Sequence, residues 1–234
     1  MKKVLSLVLA VFMTFSLCYA AGAEEVLTAI LTAKTTQAFT TEAVSKEDLT
    51  AILEAGLSAS SAINQQPWFF AAVTNQEVMK EISSSMSFGN TPAGAAPAGN
   101  LPAESSGMSE IPAQMPAAPA GGTSAKAALG DSPAAIIIYK NEGTPSPDAS
   151  FDCGLACQNM VIAANALGYG TKIVSSPTMA LNGDNHDALC EKLGVDASYQ
   201  AVAVLLLGKT AEDADGATGA SVRSVIADKV SFVD

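Results

Sequence analysis

Apolar residues at Val26, Leu27, Ile30 and Leu31 recur with the period of an α-helix, which predicts a first helix over residues 25–34. Ser45, with Asp48 three residues on, reads as the start of a second. The hydroxyl caps the first turn, the carboxylate reaches back, and Leu49, Ile52 and Leu53 carry the helix to Gly56. Trp68 to Val73 is an apolar run of strand length. Asn75 then offers its side-chain oxygen to a third helix through Val78, Met79 and Ile82, so the chain opens α-α-β-α.

Ala134 to Tyr139 is continuously apolar, the pattern of a strand buried on both faces. Residues 152–167 hold no charge after Asp152 and stop before Gly168, a residue suited to the left-handed position beyond a helix end. A helix that is apolar all round belongs at the centre of a fold. Residues 171–174 and 201–207 read as further strands with a helix at about 185–193 between them, and 229–233 as a terminal strand. Between the two halves, at about residues 85–123, the composition shifts to Pro, Ala, Gly, Ser and Met, with only Glu104 and Glu110 charged. Repeated proline forbids a helix or central strand there, so this stretch reads as a surface insertion or lid, followed by a short helix near 124–129. Strands separated by helices, with few hairpin signals, predict a single α/β or α+β domain around one central sheet.

With 49% hydrophobic and 15% charged residues, the 234-residue chain has enough apolar surface for a real core. Its 12 Lys and Arg against 23 Asp and Glu leave a net charge of -11 with no basic stripe, which excludes nucleic acid and other polyanionic partners. The N-terminus has Lys2 and Lys3, an apolar run from Val4 to Leu17 and small residues from Ala20 to Ala23. That pattern is a secretory signal peptide over 1–23, leaving 24–234 as an extracytoplasmic domain.

Candidate chemistry from nucleophiles and metals is sparse. Cys18 leaves with the signal, and Cys153, Cys157 and Cys190 are an odd number. The i, i+4 spacing of the first two on a helix is poor disulfide geometry, and two sulfurs do not close a zinc site, so the three read as small buried hydrophobes. His186, the only histidine, lies in a polar run and reads as an exposed residue at a helix start. No GxGxxG, phosphate loop or glycine-flanked serine elbow is present, and no metal site is expected.

The informative stretch is Ala59-Ser-Ser-Ala-Ile-Asn-Gln-Gln-Pro-Trp68, an amide-rich loop feeding an apolar strand, which can turn Ser61, Asn64 and Gln66 toward a planar polar ligand. It resembles the Pro-Ser-x-x-Asn-x-Gln-Pro-Trp stretch of the FMN-dependent nitroreductase family, with Ser60 in place of the usual proline. The run from Asp152 to Met160, with Ala166 to Thr171, is similar to the family's central dimer helix and following turn, and Leu206-Leu-Gly208 to its last sheet strand. The resemblance implies an α+β, three-layer fold with a central mixed sheet flanked by helices, and a homodimer with FMN between subunits. It places Ser61 and Asn64 at the flavin ring or ribityl chain and the backbone of Ser175 and Ser176 near flavin N5, where a peptide N–H tunes reduction.

At the phosphate end the family pattern breaks. The expected Arg-x-Ser-x-Arg/Lys run falls on Ala33-Lys-Thr-Thr-Gln37, leaving Lys34 and Thr35 without the flanking cations, and the Lys-x-Arg expected near the C-terminus is Ser221-Val-Arg223. Asp215-Gly-Ala-Thr-Gly-Ala-Ser221 resembles instead the motif modified by bacterial FAD:protein FMN transferases, which join FMN through its phosphate to the last hydroxyl. In that resemblance Asp215, Gly216, Thr218, Gly219 and Ala220 are read by the transferase and Ser221 carries the cofactor. An ester at Ser221 leaves the phosphate where the fold expects it, with one remaining negative charge for Arg223 and Lys34. The expected protein is thus an extracytoplasmic flavin oxidoreductase with covalent FMN, fed by a membrane-linked electron donor because NAD(P)H is scarce outside the cytoplasm. The rivals are an ordinary nitroreductase with dissociable FMN, a non-catalytic flavin carrier, and a flavin-free binding protein.

Overall fold

The structure is a computed structural model that describes residues 24–33, 35–86, 129, 132–211, 229–231 and 233. Four strands, β1 (Trp68–Val73), β2 (Ala134–Asn141), β3 (Gly170–Val174) and β4 (Tyr199–Gly208), form one sheet in the order β1-β2-β4-β3. Every ladder is antiparallel, where a mixed sheet was expected. The reason is the position of β4. Strands β2 and β3 run in the same direction and are joined by a helix, yet β4 inserts between them and pairs with both. Among the described residues the only parallel pairing is the isolated bridge between Thr35 and Thr171.

Helices cover both faces, giving three layers. On one face lie α1 (residues 24–32), α2 (Lys46–Leu57) and α4 (Ala149–Ala166). There Leu49, Ile52, Trp68, Ile136, Ile138, Met160, Leu205 and Leu207 make a continuous core. The opposite face carries α3 (Gln76–Ser85), α5 (Thr178–Leu181) and α6 (His186–Leu193), packed through Met79, Ile82, Ile137, Tyr139, Leu181, Leu189 and Leu206. Successive β2 residues alternate between the two cores, which is why its run is apolar without a break.

Local signals set the helix ends. Ser45 accepts from the Asp48 backbone N–H at 3.0 Å, and Asn75 accepts from Glu77 and Val78. The expected return bond from Asp48 is not made: its carboxylate accepts the Tyr169 hydroxyl at 2.7 Å, which holds its pKa below the ordinary value. Helix α4 starts three residues earlier than expected, capped by Asp148 through the Phe151 N–H at 2.9 Å, and ends before Gly168 at φ 76°. It packs closely on α2, where a Cβ on Gly56 would sit 2.8 Å from Met160 Cγ. Cys153, Cys157 and Cys190 are buried and free, as expected of small hydrophobes.

Helix α1 forms as expected, but its apolar stripe lies open: Ala29 is buried, while Leu31 is 80% exposed and Val26, Leu27 and Ile30 are also exposed. Two expectations fail. No terminal strand occurs among the described residues of 229–233: Lys229 is helical, and Val230, Ser231 and Val233 join no strand. His186 is half-buried, with Nδ1 2.6 Å from the Leu181 carbonyl and Nε2 3.0 Å from that of Ala197. The insertion at 85–123 lies almost wholly outside the described residues, and of the helix at 124–129 only Leu129 is described.

The histidine has a pH consequence. Carbonyls at both ring nitrogens favour the doubly protonated ring, so the Ala197 and Leu181 carbonyls raise its pKa, assisted by Asp187. A raised folded-state pKa stabilises fully below the unfolded value of about 6.5, and that stabilisation is lost as pH rises through the folded value. His186→Ala is therefore expected to lower the urea midpoint more near pH ~5 than near pH ~9.

Candidate functional site

The loop before β1 contains a one-turn 3₁₀ segment, Ala62–Asn64, and is tied on itself. Ser61 Oγ accepts the Gln66 N–H at 2.9 Å, and Asn64 Oδ1 accepts from the Gln66 side chain at 3.1 Å. Pro67 and Trp68 are buried, and the Pro67 carbonyl accepts the Asn141 N–H at 2.8 Å, which fixes the exit of the loop. Ser61, Asn64 and Gln66 are thereby brought together in one loop, and among the described residues the Ser61 hydroxyl proton and the Asn64 side-chain N–H have no acceptor. One anchor escaped the sequence reading. Asp152 Oδ1 accepts the Ala62 N–H at 3.1 Å, and Oδ2 accepts the Ser146 hydroxyl at 2.7 Å. The signal was there, since Asp152 is the one charge in an otherwise apolar helix.

Ile63, Asn64 and Gln66 have φ of 46°, 58° and 46°. For a β-branched residue the left-handed region is a real outlier. Ile63 is 79% exposed, so its side chain gains little packing in return. Ile63→Gly relieves roughly 1–2 kcal/mol of strain against roughly 0.5–1 kcal/mol of backbone entropy. The expected net gain is ~0.5–1 kcal/mol, read as a raised melting temperature.

Ser175 and Ser176 follow β3 at the same end of the sheet as this loop, but at the opposite edge. Three strand spacings separate those edges, about 14 Å. Among the described residues neither Ser175 nor Ser176 gives its backbone N–H to a partner, while the Ser175 carbonyl accepts from Thr178. Between the edges, α4 and the sheet enclose a cleft of about 590 Å³ whose lining includes Lys140, Ser150, Gln200, Ile173, Cys153 and Cys157. Burial pushes the Cys153 thiol up to about 12 and that of Cys157 to about 11, so neither is a thiolate nucleophile at neutral pH.

Thr35 lies at the other end of β3, bridged to Thr171, about 13 Å from Ser175 at the rise of a strand. The Thr36 N–H donates to the Thr171 carbonyl at 2.8 Å, and the Thr36 and Thr210 hydroxyls are 3.4 Å apart. Both hydroxyls press on Gly170, where a Cβ would lie 2.2 Å and 2.3 Å from them. Two cations that the linear reading passed over adjoin this corner. Lys172 follows Thr171, and Lys209 sits 4.0 Å over the Tyr169 ring and donates to the Gly168 carbonyl at 3.3 Å. Neither is a guanidinium; the chain's only arginine is Arg223. Lys34, Asp215, Gly216, Thr218, Gly219, Ala220, Ser221 and Arg223 lie outside the described residues.

The donor set fits a flavin unevenly. Amide and hydroxyl groups suit the ring and ribityl chain, and a strand-length separation joins Thr35 to Ser175. The phosphate end offers threonine hydroxyls and a lysine already committed to Gly168 and Tyr169.

The three-layer α+β fold is that of solved nitroreductases. The structure of a nitroreductase with bound FMN from Bacteroides fragilis aligns with TM-score 0.65 at 20% identity, covering 89% of this chain and 98% of that one. One from Desulfitobacterium hafniense, also with bound FMN, gives 0.63 at 22% identity over 90% and 98%. A curated protein of Archaeoglobus fulgidus, provisionally named an NADH dehydrogenase/NAD(P)H nitroreductase, is 26% identical over 195 residues, 82% of this chain and 89% of its own. The model of the nitroreductase family matches residues 30–209, and the chain belongs to that family. It is an oxidoreductase of the nitroreductase type.

Proposed function

We propose that this chain is an extracytoplasmic, homodimeric nitroreductase-type oxidoreductase whose FMN is esterified through its phosphate to Ser221. The carrying observation is the pairing of a complete Asp215 to Ser221 transfer motif with a clamp segment that has Ala33 and Gln37 where cations belong. Loading is balanced chemistry: Ser221 Oγ attacks the FMN phosphorus of FAD, the pyrophosphate bond breaks, AMP leaves, and the hydroxyl proton passes to solvent. When bound, FMN supplies one- and two-electron redox chemistry, while the protein orients it and sets its electrostatics. Ser61 and Asn64 would hold the ring and ribityl chain, the backbone of Ser175 and Ser176 would sit near N5, and Arg223 with Lys34 would offset the phosphodiester charge.

The dimer reading is supported by the separation of the two proposed ring-binding edges and by exposed apolar side chains on α1 and α4, including Leu31 and Phe151. One edge of each copy then serves the flavin of the other. Outside the cytoplasm the reductant is a membrane-linked electron-transfer chain, and the signal-like segment at 1–23 supports that compartment. The decisive measurement is intact mass after expression with and without an FAD:protein FMN transferase. A gain of one FMN less one water, only with the transferase, is expected.

A second reading, dissociable FMN, is favoured by the Thr36 and Thr210 hydroxyls at the phosphate end. Dialysis in denaturant separates the two, since only an ester retains the yellow colour.

A further inference from the structure

The loop that carries Ser61, Asn64 and Gln66 holds three non-glycine residues at positive φ. Such a conformation persists only where its surroundings over-determine it. Two of its restraints, the bonds from Gln66 to Ser61 and to Asn64, lie within the loop. Two more reach the body of the protein: the Pro67 carbonyl accepts the Asn141 N–H at the loop's exit, and Asp152 Oδ1 accepts the Ala62 N–H, one residue before Ile63. Asp152 is 3% exposed and belongs to α4, so the loop is referenced to the most deeply packed helix of that layer.

A carboxylate at this depth is costly. It accepts one N–H and one hydroxyl, and no salt bridge to it occurs among the described residues. A leucine would fill such space at less cost but leave the Ala62 N–H without its acceptor.

We propose that Asp152 is the positioning residue of the ring-binding loop. Its buried carboxylate fixes Ala62, and through Ala62 the directions in which Ser61 and Asn64 present their donors. This inference rests on the flavin reading above for what those donors meet, and on the geometry alone for how they are held. Asp152 does not touch the flavin; it removes the need to order the loop when the ring is bound. Ser146 is the outer support, holding the second carboxylate oxygen from the loop before α4.

The test compares wild type with Asp152→Ala, Asp152→Asn and Ser146→Ala. In protein without flavin, amide hydrogen exchange at Ala62 is expected to rise at least about tenfold in Asp152→Ala, as for loss of a charge-assisted bond. Asp152→Asn keeps a carbonyl acceptor at the same place and is expected to restore the wild-type rate to within about threefold. In transferase-loaded protein the same alanine variant is expected to shift the flavin band shape and reduction potential toward those of free FMN, with Asn again restoring them. Unchanged exchange at Ala62 overturns the proposal, and so does faster exchange with an unmoved spectrum and potential, which would make Asp152 structural only. If Asp152→Ala does not fold, Ser146→Ala carries the test with a smaller shift in the same direction, and no shift overturns it. A wild type that takes up no flavin, with exchange at Ala62 behaving as expected, sinks the flavin reading instead.

Discussion

Ser221→Ala, co-expressed with an FMN transferase, is expected to fold normally and purify without colour. A free FMN phosphate carries about −1.5 to −2 charges near neutrality and needs several charge-assisted donors. Of the cations beside the described phosphate corner, Lys209 is already engaged with Gly168 and Tyr169, and positions 33 and 37 are Ala and Gln. On the proposal above, non-covalent binding is expected to be weak, and the tether would substitute a high effective concentration for affinity. Ser221→Thr is expected to load, since either hydroxyl can form the ester, and Asp215→Ala to block loading while leaving the fold intact. Denaturing electrophoresis read by flavin fluorescence, with peptide mass mapping of residues 214–223, decides the matter. A fluorescent band that survives Ser221→Ala would falsify the attachment site.

Ile138→Ala is expected to cost 2–5 kcal/mol, measured as a drop of roughly 1–2 M in the urea midpoint. Ile138 is wholly buried in the middle of β2, next to the register shift that separates it from Tyr139, and forms part of the core under α4. The whole domain is stable by only about 5–15 kcal/mol, so this single truncation brings it near its threshold. Ile173 is the control. It lines the same cleft from β3 but is 50% exposed, and Ile173→Ala is expected to cost less than ~1.5 kcal/mol. Equal costs at the two positions would contradict the packing described.

What could be read along the chain was the chemistry of neighbours. Ser45, Asn75 and Gly168 end their helices through backbone bonds or dihedrals that a few adjacent residues settle. The run from Ala134 to Tyr139 states its own burial on both faces. Strand order was not legible in the same way, because an apolar run says that a strand is buried and not which strand lies beside it. The insertion of β4 between β2 and β3 is a tertiary choice. So is the partnership of Asp48 with Tyr169, 121 residues away, which displaced the local return bond. The apolar stripe of α1 located a face correctly, but periodicity carries no information on whether the rest of the chain covers it.

The candidate site divides along the same line. Ser61, Asn64 and Gln66 stood out by composition, and the missing phosphate cations by simple absence from one segment. The strain at Ile63 was hidden, since a β-branched residue argues against the very dihedral it adopts. Lys209 comes to the Thr36 corner only because residues 209–211 pair with 38–40.

The sheet is not the same width at its two ends. Strand β3 stops at Val174, opposite Val204, while β4 begins five residues before that partner, at Tyr199. Along the vacated lane the Asn182 side chain pairs with Ala201 as a strand would, accepting its N–H and donating to its carbonyl, both at 2.8 Å. One amide thus stands in for a peptide and seals the exposed edge, which otherwise invites pairing with another chain. The room left over, about one strand wide, opens as the cleft beneath α4, and it frees Ser175 and Ser176 from ladder duty. Lengthening β3 by two paired residues would make a more regular sheet and close the place where a ligand can lie.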